Sequence, residues 1–208
     1  SWLLSRGYSE KSGLKLVGDR YRLNMRQRKA LLRASCPDEA RTGRAAKCVN
    51  RQALQDEALA IDGYNLLITI ESALGGGMIF HCRDGCYRDI ASVHGTYRKV
   101  EETLPALTMI GVTLQKLAVS AVTWYLDRPV SNSGRLKGIM YELSNQYDFG
   151  WQIELVNNPD RTLAETKDSI VVSSDGWVLD HSDKWYNLHR SIVDTIPTAS
   201  VVKLLGTS

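Results

Sequence analysis

Five aspartates share one feature: each closely follows a short apolar run. Asp62 follows ALAI, Asp84 follows MIFHC, Asp127 follows AVTWYL, Asp160 follows WQIELV, and Asp175 follows SIVVS. Carboxylates held close together repel one another and take up protons unless a cation compensates. Mg²⁺ and Mn²⁺ prefer carboxylate and water oxygens, and they can activate water against a phosphoryl group. The pattern predicts a hydrolytic centre in which Asp62, Asp127, Asp160 and Asp175 are metal ligands and catalytic residues.

Helix capping is the alternative for each of these acids, because aspartate after a strand is also a common cap and turn residue. Capping is favoured for Asp84 and Asp160, which lie farther from their strands. The metal-binding interpretation is favoured for Asp62 and Asp175. A second tier of acids could complete the site or lie on the surface: Glu71, Asp89 and Asp180.

Polar residues near these acids predict contacts to a phosphate. Asn65 could hydrogen-bond the first carboxylate or a substrate phosphate. The segment VSNSGRL at 130–136 lies between a predicted strand and a predicted helix, which makes it a candidate anion cradle. Simple capping by Ser131 or Ser133 is the alternative. The substrate-binding candidates at this edge are Asn65, Arg88, Ser131, Asn132, Ser133 and Ser174.

The four cysteines predict neither a disulfide framework nor a zinc ribbon. The segment HCRDGC could offer His81, Cys82 and Cys86 to a metal, with His94 nearby. The sequence has no second, similarly spaced pair of cysteines to complete a zinc site. Reduced structural cysteines are therefore favoured over a zinc site.

Strands and helices that could position these residues are predicted from residue 58 onward. There, short apolar runs alternate with amphipathic segments. Strands are predicted at 58–61, 78–82, 121–126, 151–156 and 169–173, and 86–92 is predicted to pair back on 78–82 as a hairpin. Helices are predicted between the strands, and a last helix is predicted at 183–196. This alternation predicts that 53–208 form an α/β domain, a three-layer α/β/α sandwich with a mainly parallel sheet. The carboxyl ends of parallel strands share one edge, which would bring the aspartates together.

Residues 1–52 are predicted to form a small, basic, all-helical N-terminal domain with a linker. Residues 1–57 carry 13 Lys/Arg and 6 Asp/Glu, whereas 58–208 carry 13 and 17. A short helix is predicted at 12–17, ended by Gly18, and a second helix begins after an Asn24 N-cap. Residues 37–52 are predicted to be a linker or a mobile loop. Four cations spaced along one helix face are candidates for contacts to nucleic-acid phosphates, with a solvated face as the alternative: Arg22, Arg26, Lys29 and Arg33.

Composition excludes a membrane protein in the sequence as given. The hydrophobic fraction is 43%, and no window offers the roughly 18 uninterrupted apolar residues of a membrane span. The first residues, SWLLSRGYSEK, are too short and too polar for a secretory signal. We therefore expect a cytoplasmic protein with no membrane partner.

Two motifs resemble those of a known superfamily. IDGYNLL at 61–67 resembles the first motif of the PIN-like nuclease superfamily, particularly its NYN branch, and VVSSDGWVLD at 171–180 is similar to its late "(T/S)SD" motif. The whole chain resembles more closely an uncharacterised prokaryotic family that joins a short helical domain to a PIN-like domain. The segments that carry this likeness are RGY at 6–8, LVGDRYRLNMRQR at 16–28, DGCYRDI at 84–90, LDRPVSNSG at 126–134 and NNPD at 157–160.

The resemblance implies hydrolysis of RNA at a carboxylate cluster that binds Mg²⁺ or Mn²⁺. It makes Asp62 the first metal ligand and Asp175 the late one, with Asp127 and Asp160 in the places of intermediate acids. The segments DGCYRDIASVHGTYRK and SNSG depart from the superfamily pattern, which points to a specialised substrate or to lost activity. The predicted function is a metal-dependent ribonuclease, with RNA as partner and a homodimer as a candidate assembly. The alternatives are a non-catalytic RNA-binding module and a metal-dependent phosphohydrolase of small phosphates.

Overall fold

The computed structural model describes residues 1–91 and 97–203. The N-terminal part contains three helices: α1 (Glu10–Arg20), α2 (Met25–Ala34) and α3 (Asp38–Lys47). Short 3-10 helices lie at Leu4–Arg6 and Arg51–Leu54. The helical character of this part is as predicted, and Asn24 caps α2 as predicted, in a reciprocal capping box with Gln27.

Two local predictions in this part are wrong. Gly18 does not end α1, which continues to Arg20. A Cβ at Gly18 would lie 2.1 Å from Nη1 of Arg28, so the glycine makes room for that guanidinium. Residues 37–52 are not a loop, because α3 occupies most of the segment. Acids in its first turn and cations in its last turn complement the helix dipole, which stabilises a helix of polar composition.

The main sheet contains four parallel strands in the order β5-β4-β1-β6. They are β1 (Ala58–Asp62), β4 (Ala121–Asp127), β5 (Trp151–Val156) and β6 (Ile170–Val172). Six helices accompany them: α4 (Gly63–Leu74), α5 (Thr103–Gln115), α6 (Ser133–Tyr147), α7 (Pro159–Glu165), α8 (Gly176–His181) and α9 (Leu188–Val193). Ile61 of β1 lies opposite Trp124 and Val172.

Alternate residues of the central strand β1 enter two cores. Leu59 and Ile61 join the larger core with side chains of α4, α5, α6 and α9. Ala60 points to the other face, where α7 and α8 pack together with Trp185. Apolar packing on both faces of a parallel sheet confirms the predicted α/β/α sandwich.

A second, smaller sheet has the order β3-β2-β7 and consists of β2 (Met78–His81), β3 (Tyr87–Arg88) and β7 (Ser200–Lys203). The hairpin of β2 and β3 was predicted, although Ser92 of the predicted segment lies outside the described residues. The expectation that β2 belongs to the main sheet is wrong, because β2 pairs in parallel with β7 instead. Asp84 therefore lies in the hairpin of the smaller sheet and does not follow a strand of the main sheet.

The predicted last helix at 183–196 is only partly correct. Its helical part is α9, whereas Trp185 is extended and bridges Cys48 and Val171. Burial of this indole holds the backbone against the sheet and displaces the helix start. Within residues 1–91 and 97–203, no helix combines the length and apolar character needed to cross a bilayer.

Candidate functional site

An acidic cleft lies at the carboxyl ends of β1, β4 and β5. Three of the four predicted catalytic acids line it: Asp62, Asp127 and Asp160. Its other lining residues are Tyr64, Tyr125, Val130, Asn157, Asn158 and Pro159. The register of the parallel strands accounts for this convergence, since each acid ends or follows a neighbouring strand.

Asp62 ends β1 and precedes α4, and its carboxylate is buried with 7% of the residue exposed. It forms no regular side-chain capping hydrogen bond with α4, although the Asn65 amide in the first turn of α4 lies close enough to lower the pKa of its carboxyl. Ser173 Oγ donates to Asp62 Oδ2 at 2.7 Å. Gly63, the next residue, allows Leu126 to pack closely against the backbone, because a Cβ at Gly63 would lie 2.5 Å from Cδ2 of Leu126.

The protonation equilibria of these acids reflect burial and mutual repulsion. Burial raises the pKa of Asp62 to about 7, the Ser173 hydrogen bond opposes that rise, and Asp160 and Asp175 add to it. The pKa of Asp160 is also raised, first by burial and then by Asp175 and Asp127. Burial raises the pKa of Asp127 as well. The cleft therefore holds carboxyl groups whose charged forms lack compensation.

Asp175 caps α8, as its capping alternative predicted. Its Oδ1 caps α8 by accepting hydrogen bonds from the amides of Trp177 at 2.8 Å and Val178 at 3.2 Å. It also lies close enough to Asp62 and Asp160 to raise the pKa of both. Capping is not the role of the Asp160 side chain, because the amide of Arg161 donates to Asn158 Oδ1 at 3.0 Å.

The donor set of the cleft suits a hard cation held partly through water. Among residues 1–91 and 97–203, no three His, Cys, Asp or Glu side chains already converge closely enough to enclose a metal ion. Mg²⁺ commonly binds through only one or two carboxylates and keeps several waters. Asp62, Asp127 and Asp160 offer carboxylate oxygens of that kind, and no His or Cys of residues 1–91 and 97–203 lines the cleft.

Asn65 and Ser174 bind each other. Asn65 Oδ1 accepts hydrogen bonds from the Ser174 amide at 2.8 Å and from its hydroxyl at 2.9 Å. This pair fastens the first turn of α4 to the end of β6, next to Asp62 and Asp175. Both predicted substrate-binding residues thus hold the edge of the sheet together.

The segment that contains Ser131, Asn132 and Ser133 connects β4 to α6. Asn132 has φ 71° and donates through Nδ2 to the Tyr97 carbonyl at 3.0 Å, so it does not cap α6. The carbonyl of Ser131 accepts from the Tyr97 amide at 3.2 Å. Ser133 Oγ donates to the carbonyl of Arg128 at 3.3 Å. The alternative of capping by Ser131 or Ser133 is therefore wrong.

A buried ion network holds Arg88 and Asp84 away from the cleft. Asp84 accepts hydrogen bonds from Arg44 at 2.6 Å and from Arg88 at 2.7 and 2.9 Å. Burial alone would raise the pKa of Asp84, but the two guanidinium groups outweigh it and lower the pKa to about 2. Arg44 also pairs with Asp180 at 2.7 and 2.8 Å. Arg88 Nε donates to the Ser174 carbonyl at 2.6 Å, so its guanidinium supports β6 rather than facing the cleft.

The two remaining second-tier acids are also buried outside the cleft. Glu71 accepts hydrogen bonds from Tyr97 and from Thr103, the latter at 2.6 Å. Thr69 donates to Asp89 at 2.9 Å. These acids stabilise contacts of α4 with the segments packed against it.

The predicted basic face is only partly exposed, and the cysteines of the HCRDGC segment are buried. Arg22 precedes α2 and has φ 51°, so three of the four cations lie on the helix itself: Arg26, Lys29 and Arg33. Arg26 is exposed, whereas Lys29 and Arg33 are partly buried. Cys82 and Cys86 are buried free thiols, and His94 lies outside the described residues.

Comparison with known protein families places most of the chain in one of them. The family described as "Domain of unknown function (DUF5616)" matches residues 51–191. The chain belongs to the DUF5616 family. Residues 1–47 match "Protein of unknown function (DUF434)". The uncharacterized protein MJ0935 of Methanocaldococcus jannaschii is 28% identical over 179 residues, which cover 84% of this chain and 86% of that protein. No solved structure shows a significant match.

The DUF5616 segment contains all the acids of the cleft and two residues that sequence reasoning missed. Ser173 binds Asp62. Its position directly before Ser174-Asp175 was the sequence feature that could have indicated a place in the site. Tyr64 lines the cleft with a buried hydroxyl that has no hydrogen-bond partner among the described residues. Burial and then Asp127 raise the pKa of Tyr64 to about 12.

Proposed function

We propose that this protein is a ribonuclease that hydrolyses phosphodiester bonds with Mg²⁺ or Mn²⁺ held in the acidic cleft. The observation that carries the proposal is the environment of Asp62. Its buried carboxylate faces further acids, and within residues 1–91 and 97–203 no Lys, Arg or His forms an ion pair with it. Burial of uncompensated acids is unfavourable, and a divalent cation is the partner that offsets it.

The residues near the cleft would have different roles at such a site. Asp62, Asp127 and Asp160 would hold the cation, and Asp175 would add negative charge from the end of β6. The cation would polarise a phosphoryl oxygen and lower the pKa of bound water. Ser173 fixes the rotamer of Asp62, while the pair of Asn65 and Ser174 fixes the edge.

The resemblance to PIN-like nucleases supports the choice of RNA. Its first motif corresponds to the junction of β1 and α4, and its late motif corresponds to the junction of β6 and α8. The exposed Arg26 and the net charge of residues 1–57 favour a polyanionic substrate. The family descriptions and the archaeal relative name no activity, so the proposal depends on the cleft and on these motifs.

A cleavage assay tests the proposal. End-labelled single-stranded and structured RNAs are incubated with the protein and Mn²⁺, alongside Asp62→Asn, Asp175→Asn and Asp168→Asn. Asp168 is exposed and precedes β6, at the opposite edge of the sheet, which makes it the matched control. We expect wild type and Asp168→Asn to cleave, and the other two variants to lose cleavage.

Two other outcomes would overturn the assignment. Salt-sensitive RNA binding without cleavage, at any divalent cation tested, would identify a binding module. Turnover of free nucleotides with intact polymers would identify a phosphohydrolase of small phosphates. Circular dichroism of each variant separates loss of activity from loss of fold.

A further inference from the structure

A basic cavity of about 350 Å³ lies beside the acidic cleft. Three cations line it, namely Arg98, Lys99 and Arg135, together with Tyr97 and Asn132. No acid lines it, and none of the three cations forms an ion pair with any residue that the structure describes. Three like charges around one concavity repel one another, and an anion would relieve that repulsion.

Hydrogen bonds hold one wall of this cavity in place, and its three cations are exposed side chains. Tyr97 exchanges two hydrogen bonds with the connection between β4 and α6, one to the Ser131 carbonyl at 3.2 Å and one from Asn132 Nδ2 at 3.0 Å. The Tyr97 ring is itself anchored through its hydroxyl, by Glu71 and Thr103. These contacts fix Arg98 and Lys99 beside the first turn of α6.

The start of α6 adds to the positive potential of the cavity. Amides in the first turn of a helix lack helical partners and carry partial positive charge. The first turn of α6 contains no acid, and its start has no side-chain cap. Arg135 belongs to this turn and lines the cavity, so its guanidinium lies close to the positive end of the helix.

The basic cavity and the acidic cleft are neighbours on the same edge of the molecule. Val130 lines the cleft and Asn132 lines the cavity, two residues apart in one connection, which spans at most about 7 Å. The rings of Tyr64, in the cleft, and Tyr97, in the cavity, have centroids 5.4 Å apart. The two sites would attract neighbouring anionic groups of one ligand. The cleft would do so through a bound cation, and the cavity would do so through its own Arg and Lys side chains.

We propose that the basic cavity binds a backbone phosphate of single-stranded RNA, adjacent to the phosphodiester that occupies the acidic cleft. This inference deepens the proposed nuclease function and rests on it. A strand places anions at regular short intervals, so one phosphate can lie in each site. A mononucleotide carries its phosphates contiguously and would leave one of the two sites without a partner.

The test measures binding without cleavage. Fluorescence anisotropy with a labelled single-stranded RNA oligomer is recorded in EDTA across a range of salt concentrations. The cavity variants are Lys99→Gln and Arg135→Gln. Their matched controls are Lys116→Gln and Arg190→Gln, which change an exposed lysine and an exposed arginine outside the cavity.

We expect each cavity variant to bind several-fold more weakly than wild type. The slope of log affinity against log salt should fall by about 0.7 for each lost phosphate contact on a single strand. The controls should keep the affinity and slope of wild type. Unchanged binding by the cavity variants, or an equal loss in the controls, overturns the proposal. So does competition by a mononucleotide at the affinity of the oligomer.

The assay distinguishes this inference from the proposed activity, because EDTA removes any dependence on cleavage. If the oligomer binds through Lys99 and Arg135 but Mn²⁺ yields no product, the phosphate site stands and the nuclease assignment fails. If Mn²⁺ yields product lost in Asp62→Asn, while the cavity variants bind and cleave like wild type, the nuclease stands and the phosphate site fails.

Discussion

Ser173 donates a hydrogen bond of 2.7 Å to Asp62 and accepts one of 3.0 Å from the amide of Asp175. One hydroxyl therefore connects an acid at the end of β1 to the residue that caps α8. Parallel pairing of β1 with β6 brings the two together although they are far apart in the chain. The same contact orients the carboxylate that the proposed function requires.

Asp62→Asn should stabilise the protein at alkaline pH. The folded-state pKa of Asp62, about 7, lies above the ordinary aspartate value, so the folded state binds the extra proton between about pH 4 and pH 7. Wild type therefore loses stability as pH rises through that window, and asparagine removes the loss. We expect the variant to gain roughly 1–4 kcal/mol at pH 8. Urea unfolding at pH 5 and pH 8 should show a larger difference at pH 8, and equal differences would contradict this prediction.

Divalent cations should raise the melting temperature of wild type. A ligand that binds only the folded state contributes about 2.7 kcal/mol at 100 times its dissociation constant. We expect a Mn²⁺-dependent shift in differential scanning fluorimetry at pH 7.5. Asp62→Asn should abolish the shift and Asp168→Asn should retain it. A shift of equal size in both variants would place the cation elsewhere.

Arg44→Ala should destabilise the fold strongly. The substitution removes one of the two guanidinium groups bound to the buried Asp84, and it leaves Asp180 without its arginine. Breaking a buried ion pair by removing one partner costs about 3–5 kcal/mol. Arg41→Ala on the same helix is the control, because Arg41 is exposed and should change stability by no more than about 0.5 kcal/mol. Similar urea midpoints for the two variants would refute the structural role of the network.

Two glycine-to-alanine substitutions should have opposite signs. A Cβ at Gly111 in α5 would lie 2.2 Å from the Phe149 ring, whereas a Cβ at Gly138 in α6 meets no atom within 4 Å. We expect Gly111→Ala to destabilise by about 1–3 kcal/mol through overpacking. Gly138→Ala should stabilise by about 0.5–1 kcal/mol, because alanine is the better helix former. Thermal unfolding of both variants measures the difference, and a common sign would argue against this packing of α5.

Local sequence patterns were sufficient to predict the main sheet. The runs that became β1 and β6 are short and apolar because both of their faces are buried, whereas β4 and β5 alternate buried and more exposed residues. The run that became β2 has the same pattern but belongs to the smaller sheet. Its partner β7 comes about 120 residues later, and nothing in either segment specifies that pairing.

The acids of the cleft were predictable because each lies at the end of a predicted strand or a few residues after it. Their supporting contacts were not. Ser173 lies 111 residues from Asp62, and Arg44 lies 136 residues from Asp180. Arginine in α3 looked like part of a basic, solvated segment, and only the packing of α3 on α8 shows that it is buried. Such pairs depend on the completed fold.

Residues 48–50 lie between the two family matches, and hydrogen bonds to Trp185 hold the backbone on both sides of Cys48. The Trp185 amide donates to the Lys47 carbonyl at 3.1 Å, and the Val49 amide donates to the Trp185 carbonyl at 2.9 Å. The Trp185 indole also donates to the Arg44 carbonyl at 2.7 Å. These three hydrogen bonds attach the end of α3 directly to the segment that packs on β6. Under the proposed function, an RNA strand that contacts both regions would have to span a distance that this attachment sets.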